Sequence, residues 1–133
     1  PWLRENAPRF DAILVHGLWL YPSFAVWRLH AGSRGAAPPY FVLPHGMLDP
    51  WFQKLSVRPV KAVRNALYWK LVESRVLRDA AAVLFTCEEE RRLARLPFRP
   101  YRCTERVVAY GTASPPASVA ADALPAEIAA LDG

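Results

Sequence analysis

The chain predicts an α/β sandwich built on a parallel sheet, and three observations carry that prediction. Short apolar runs of strand length alternate with longer amphipathic stretches, in the order strand, helix, strand, helix, strand, helix, strand. Proline and glycine clusters such as Pro38-Pro39 and Pro44-His45-Gly46 punctuate the changes of period. Parallel neighbours need a crossover of helical length, and the spacing between the apolar runs supplies one each time.

Taken in order, Trp2 to Asn6 closes a helix and Phe10 to His16 is the first strand. Tyr21-Pro22-Ser23 opens the next helix, with proline near the first position, where its missing N–H costs little. That helix carries Phe24, Ala25, Trp27 and Leu29, ends near Gly32, and leads through a loop to the second strand, Tyr40 to Leu43. Four apolar or aromatic residues without a polar interruption suit a strand buried on both faces. A loop with Asp49-Pro50 follows, then a long helix from Pro59 to Arg78. Within it Val60, Val63, Leu67 and Leu71 recur at spacings of three and four, the pattern of a buried stripe. Tyr68, Trp69 and Val72 lie off that stripe, so the helix is either wedged between neighbours or laid on a membrane surface.

Ala81 to Phe85 is the third strand. Thr86-Cys87-Glu88-Glu89 reads as a capping box, a threonine N-cap with glutamate three residues on. Glu88, Glu89 and Glu90 suit the N-terminus of the helix they open, and Arg91, Arg92 and Arg95 suit its later turns. Arg106 to Ala109 is the fourth strand, Thr112 to Pro116 a proline-rich exit, and Pro125 to Leu131 a weak terminal helix.

At 133 residues this is one domain's worth of chain, and 53% apolar residues with five tryptophans argue for a packed core. It has no apolar run of about 18 residues and no signal-peptide order at its start. Cys87 and Cys103 fit no metal spacing, so a reduced, cytoplasmic setting is the simpler reading. Both ends read as cut, the first on the tail of a helix and the last at Leu131-Asp132-Gly133, so a piece of a longer protein is expected. Net charge is +5, but from Lys54 through Arg106 thirteen basic residues face six acidic ones. Such a segment serves phosphate-bearing ligands, anionic lipid or nucleic acid, or is a solvated helix surface.

Three predicted strand ends deliver a polar ring followed by glycine: His16-Gly17, His45-Gly46 and Tyr110-Gly111. In a parallel sheet those ends share one edge, where α/β proteins bind ligands. His45 is a general base, a hydrogen-bond partner of a sugar or phosphate, or a turn residue; the recurrence of His-Gly favours a ligand role. His16 is a ligand contact or packs beside Trp19, and the glycines serve close approach or merely a turn. Trp19 and Trp51 could stack on a sugar ring or belong to the core. Asp49 is a hydroxyl ligand or an Asp-Pro turn, and His30 sits late in a helix, where the dipole explains it. The chain carries no GxGxxG, Walker loop, Cys/His cluster or nucleophile elbow, so a complete active site is not expected.

The runs FDAILVHGLW, PYFVLPHGMLDPWF, LYWKLVESRVLRDAAAVLFTCEEERRLA and VVAYGTASPP resemble the N-terminal domain of bacterial glycosyltransferase family 4 enzymes, over Trp2 to Pro116. The resemblance implies the GT-B architecture, two Rossmann-like domains facing each other across a cleft. Residues 1–116 would be the second half of the first domain, a Rossmann-like parallel sheet with flanking helices. Residues 117–133 would begin the linker to a donor-binding C-terminal domain. The implied reaction moves a sugar, of hexosyltransferase type, from a nucleotide-sugar to the hydroxyl of a sugar or lipid-linked acceptor, with retention at the anomeric carbon. Surface polysaccharide assembly is the family's usual setting, with no metal, other cofactor or nucleic acid expected. His45 would be catalytic, beside the transferred sugar; His16, Gly17, Trp19, Gly46, Met47, Tyr110 and Gly111 would bind substrate. Without the donor half, this stretch is expected to be inactive alone. The alternative is a non-catalytic α/β module that binds an anionic ligand or lipid surface through its basic segment.

Overall fold

The computed structural model describes residues 2–33, 35–53, 59–109 and 111. Helix α1 (Trp2–Asn6) and a 3-10 turn (Ala7–Arg9) lead into β1 (Ile13–His16). Helix α2 (Tyr21–Gly32) crosses to β2 (Tyr40–Leu43), followed by a 3-10 turn at Pro50–Gln53. Helix α3 (Pro59–Tyr68), a π turn (Trp69–Glu73) and α4 (Ser74–Asp79) form the next crossover, to β3 (Ala82–Phe85). Helix α5 (Glu88–Ala94) leads to β4 (Glu105–Val107). The expected proline-rich exit, terminal helix and linker lie outside the described residues.

The sheet runs β1-β2-β3-β4 and every pair is parallel. Val15 stands beside Val42 and Val42 beside Val83; in the next row Leu14 stands beside Phe41 and Phe41 beside Ala82. The sheet is therefore the Rossmann-like α/β arrangement that the alternation of periods predicts. When strands follow one another in sequence, right-handed crossovers put their helices on one face. Burial follows this apart from one small residue: Val15, Tyr40, Val42, Val83 and Phe85 are buried, while on the other face Leu14 is exposed, Phe41, Leu43 and Leu84 are half-buried, and Ala82 is buried. The expectation that Tyr40 to Leu43 is buried on both faces is thus corrected. The run alternates, with Phe41 and Leu43 on the less covered face.

The long helix needs a larger correction. The stripe Val60, Val63, Leu67 and Leu71 is exposed, and the inward face is Ala62, Asn65, Trp69, Glu73, Val76 and Leu77. Ala62 and Asn65 are small enough to let the helix approach its neighbours, and Trp69 then supplies the largest buried side chain. The wider π turn keeps Trp69 and Glu73, four residues apart, on one face. Trp69 stacks on Phe98 with ring centroids 4.8 Å apart, and its Nε1 donates to the carbonyl of Pro100 at 3.0 Å. Across the core, the Tyr40 hydroxyl donates to the carbonyl of Val76 at 2.7 Å, tying β2 to α4. Burial pushes that phenol well above its ordinary pKa.

Glu73 is fully buried. Its Oε1 accepts from the backbone N–H of Trp19 at 2.6 Å and from the Ser23 hydroxyl at 3.0 Å. Its Oε2 is buried without a hydrogen-bond partner. Desolvation raises the carboxyl pKa, and the two bonds it accepts oppose that rise only in part. The folded chain then holds this proton more tightly than the unfolded chain. The residue's contribution is full below the ordinary glutamate pKa and is lost as pH rises through the folded value. Glu73→Gln keeps an acceptor for Trp19 and Ser23 without a titrating group. Urea midpoints at pH 5 and pH 8 should therefore differ less in this variant than in the native chain, with the variant at least as stable at pH 8. An unchanged pH dependence would assign the effect to other groups.

Candidate functional site at the carboxyl edge of the sheet

His16 is the last residue of β1, and His45 follows β2 after a single proline. The register pairs His16 with Leu43, which puts both imidazoles on the same edge. They meet there: His16 Nδ1 and His45 Nε2 are 2.9 Å apart, with the rings 14° from parallel. At that distance one nitrogen carries the proton and the other the lone pair, so the tautomer of one ring fixes that of the other.

The loops beneath the rings are tightly determined. Gly17 lies at φ 82° and donates to the carbonyl of Leu43 at 2.8 Å, joining the ends of β1 and β2. A Cβ at Gly17 would also sit 3.5 Å from Cε and Sδ of Met47, whose sulfur accepts from the N–H of Leu18 at 3.1 Å. Met47 is therefore a piece of the loop's packing. His45 (φ 51°) and Gly46 (φ 71°) are both left-handed, and Met47 N–H closes the turn on the carbonyl of Pro44 at 3.1 Å. A non-glycine residue in that region costs roughly 1 kcal/mol, so its position must be held by neighbours.

The holder is Glu90, which the sequence reading did not single out as a site residue. Its Oε1 accepts from Gly46 N–H at 2.7 Å, and its Oε2 accepts from the N–H and Oγ1 of Thr86 at 2.8 and 2.9 Å. One carboxylate thus clamps the His45 turn to the end of β3. The expected capping box is not what forms: the N-cap lies one residue later, and the Glu90 carboxylate reaches the residue before it rather than the N-cap N–H. The N-cap is Cys87, whose sulfur accepts from Glu90 N–H at 3.4 Å, and Thr86 precedes it. Cysteine is not a favoured N-cap type, so the pattern pointed to Thr86 and Glu89. Glu89 instead pairs with Arg92 on the exposed side of α5. The same spacing read one residue on, Cys87 to Glu90, was the available signal.

A cavity of about 470 Å³ opens beside this turn, lined by His45, Gly46, Asp49, Thr86, Cys87 and Glu90 among others. It lies past the carboxyl ends of β2 and β3, where parallel sheets receive ligands. The other predicted site residues fall as follows. The half-buried Trp19, at φ 64°, packs its ring on Trp69 and Phe98 at centroid distances of 6.1 and 5.4 Å, which is the core alternative of the sequence reading. Asp49 Oδ1 accepts from Trp51 N–H at 2.7 Å, the Asp-Pro turn alternative, and Trp51 is exposed against Phe52. Gly111 is exposed with open space around it, and β4 ends at Val107, four residues earlier. The third ring-glycine pair therefore does not follow directly on a strand, and Tyr110 lies outside the described residues. His30 meets the Tyr40 ring edge-on inside the fold. Among the described residues, no three Cys, His, Asp or Glu gather as a metal site requires.

Comparison with known proteins adds one match. A family model described as a glycosyl transferase 4-like domain covers residues 1–121. No curated protein and no solved structure matches the chain.

The clamp can be tested on its own. Glu90→Gln retains one acceptor oxygen of two and keeps Gly46 or Thr86 but not both. It should lower stability by roughly 1–3 kcal/mol, and Glu90→Ala should lower it further. Equal urea midpoints for Glu90→Ala and the native chain would mean that the carboxylate holds nothing.

Proposed function

Since the chain belongs to the glycosyl transferase 4-like family, we propose that it is the acceptor-side domain of a retaining glycosyltransferase, acting beside a donor-binding domain reached through residues 117–133. The reaction moves a sugar of hexose type from a nucleotide-sugar to the hydroxyl of a sugar or lipid-linked acceptor. The bond from the anomeric carbon to the nucleotide diphosphate breaks, and a bond to the acceptor oxygen forms on the same face of the ring. The acceptor proton passes to an oxygen of the departing diphosphate. Charge on the leaving diphosphate needs positive groups and dipoles, and the donor-binding domain is the source of these in this reading. The present domain presents the acceptor and contacts the transferred sugar, work that lies mainly in orientation.

The observation that carries this reading is the imidazole pair on the carboxyl edge of the sheet, beside the cavity. His45 is the residue assigned to the sugar, its turn held by Glu90 and its ring by His16. The contact at Nε2 restrains rotation of the His45 ring. Gly17 and Gly46 keep bulk away from this edge, and Met47 packs the turn from below. Cys87 and Cys103 are both free thiols, which supports a cytoplasmic setting, with the enzyme working against the inner face of the cell membrane as part of surface polysaccharide assembly.

In the enzyme carrying both domains, His45→Ala should lower kcat by roughly 10²-fold, a typical loss for one positioned polar group. Turnover would be followed with a panel of nucleotide-sugars, and thermal melting would be measured in parallel. His45→Asn, which tolerates the left-handed backbone, separates loss of the imidazole from strain in the turn. His30→Ala is the matched control and should retain kcat. A wild-type kcat for His45→Ala would remove the imidazole from the reaction.

A further inference from the structure

The outward face of α3 combines two features that a solvated helix does not need together. Its apolar ridge, Val60, Val63, Leu67 and Leu71, is 53 to 82% exposed. The 3-10 turn Pro50–Gln53 packs against α3 and adds the exposed rings of Trp51 and Phe52. At about 100° per residue, Lys61 and Arg64 fall on one side of the ridge and Lys70 on the other. Between Asp49 and Glu73 the sequence has five basic residues and no Asp or Glu. Two of the five, Lys54 and Arg58, lie outside the described residues. Glu73 itself is buried on the opposite face.

An apolar ridge of about 16 Å whose charged neighbours between Asp49 and Glu73 are, among the described residues, all cations fits an anionic lipid surface. A second copy of the chain would set these cations against each other. An ordinary helix-packing partner would satisfy the ridge and leave the lysine and arginine heads without counter-charges. An anionic lipid surface meets both demands, since acyl chains receive the ridge at the depth where phosphates meet the cations. The ridge is also held away from the core by geometry. Ala62, Asn65 and Trp69 fix the opposite face inward, so the outward direction is not a choice left to the helix.

We propose that the outward face of α3, together with Trp51 and Phe52, is a docking surface for anionic lipid, lying in the plane of the membrane interface. No helix among the described residues is long and apolar enough to cross a bilayer, so the contact is interfacial. The surface supplies residues for the membrane placement proposed above and rests on that placement alone, not on the transfer chemistry.

The test is sedimentation of the full-length protein with vesicles of phosphatidylglycerol and phosphatidylcholine in equal parts, and with phosphatidylcholine alone. Binding to the anionic vesicles should exceed binding to the neutral ones by at least about tenfold, and should fall steeply with added salt. Val63→Ser with Leu67→Ser should lower anionic binding by about tenfold or more. So should Lys61→Glu with Lys70→Glu. Both pairs should melt as the native protein does, because their side chains contribute little to the core. Equal sedimentation with the two vesicle types would overturn the proposal, as would native-level binding by both double variants. Loss of self-association in the serine variant, with no vesicle binding by the native protein, would assign the face to a second copy and overturn it as well. Because vesicle binding needs no nucleotide-sugar, a failed transfer assay leaves this result standing, and the reverse holds.

Discussion

A parallel sheet whose strands follow one another in sequence can cover only one of its faces with its own crossovers, and the main features of this chain follow from that limit. The covered face takes Val15, Tyr40, Val42, Val83 and Phe85, and α4 binds to it through Val76 and the Tyr40 hydroxyl. The second face carries the exposed Leu14 and the half-buried Phe41, Leu43 and Leu84. With one layer of helices on one face, each helix also has a side turned away from the sheet. For α3 that side is the apolar ridge. The same limit concentrates polar chemistry at the carboxyl edge, where the loops leave the sheet together.

At that edge a single device is used twice. Two non-glycine residues, Trp19 after β1 and His45 after β2, lie in the left-handed region, each at a cost the loop alone would not sustain. Each is held by a glutamate from the crossover that follows β2 or β3. Glu73 accepts from the N–H of Trp19, and Glu90 accepts from the N–H of Gly46, next to His45. Glu90 reaches Thr86 as well, so the β2 and β3 ends are set at one separation. The His16–His45 contact follows from this fixing of loops, since imidazoles on mobile turns would not hold a separation of 2.9 Å. Glu73 does its part in the core, where desolvation opposes the charged carboxylate. Glu90 does the same at a partly exposed site lining the cavity.

Much of this was legible in the residues. The strand and helix order, the limits of α2 and β2, and the assignment of His16 and His45 to one edge all follow from local patterns of period two, period 3.6 and proline-glycine punctuation. These are properties of neighbouring residues, which a chain carries before it folds. The glycosyl transferase 4-like family match spans the residues on which the resemblance was read.

What only the tertiary structure decided is which of two equally periodic faces turns inward, and which distant groups meet. The ridge Val60, Val63, Leu67 and Leu71 has as good a helical period as the face that is buried, and a period cannot say which side a sheet will cover. That choice was made by shape: Ala62 and Asn65 permit close approach, and Trp69 fills the space against Phe98. Likewise, no local pattern pairs Glu90 with Gly46, forty-four residues away, or His16 with His45, twenty-nine away. Local sequence determined which residues stand at the strand ends. The register of the parallel strands, a long-range property, determined that they touch.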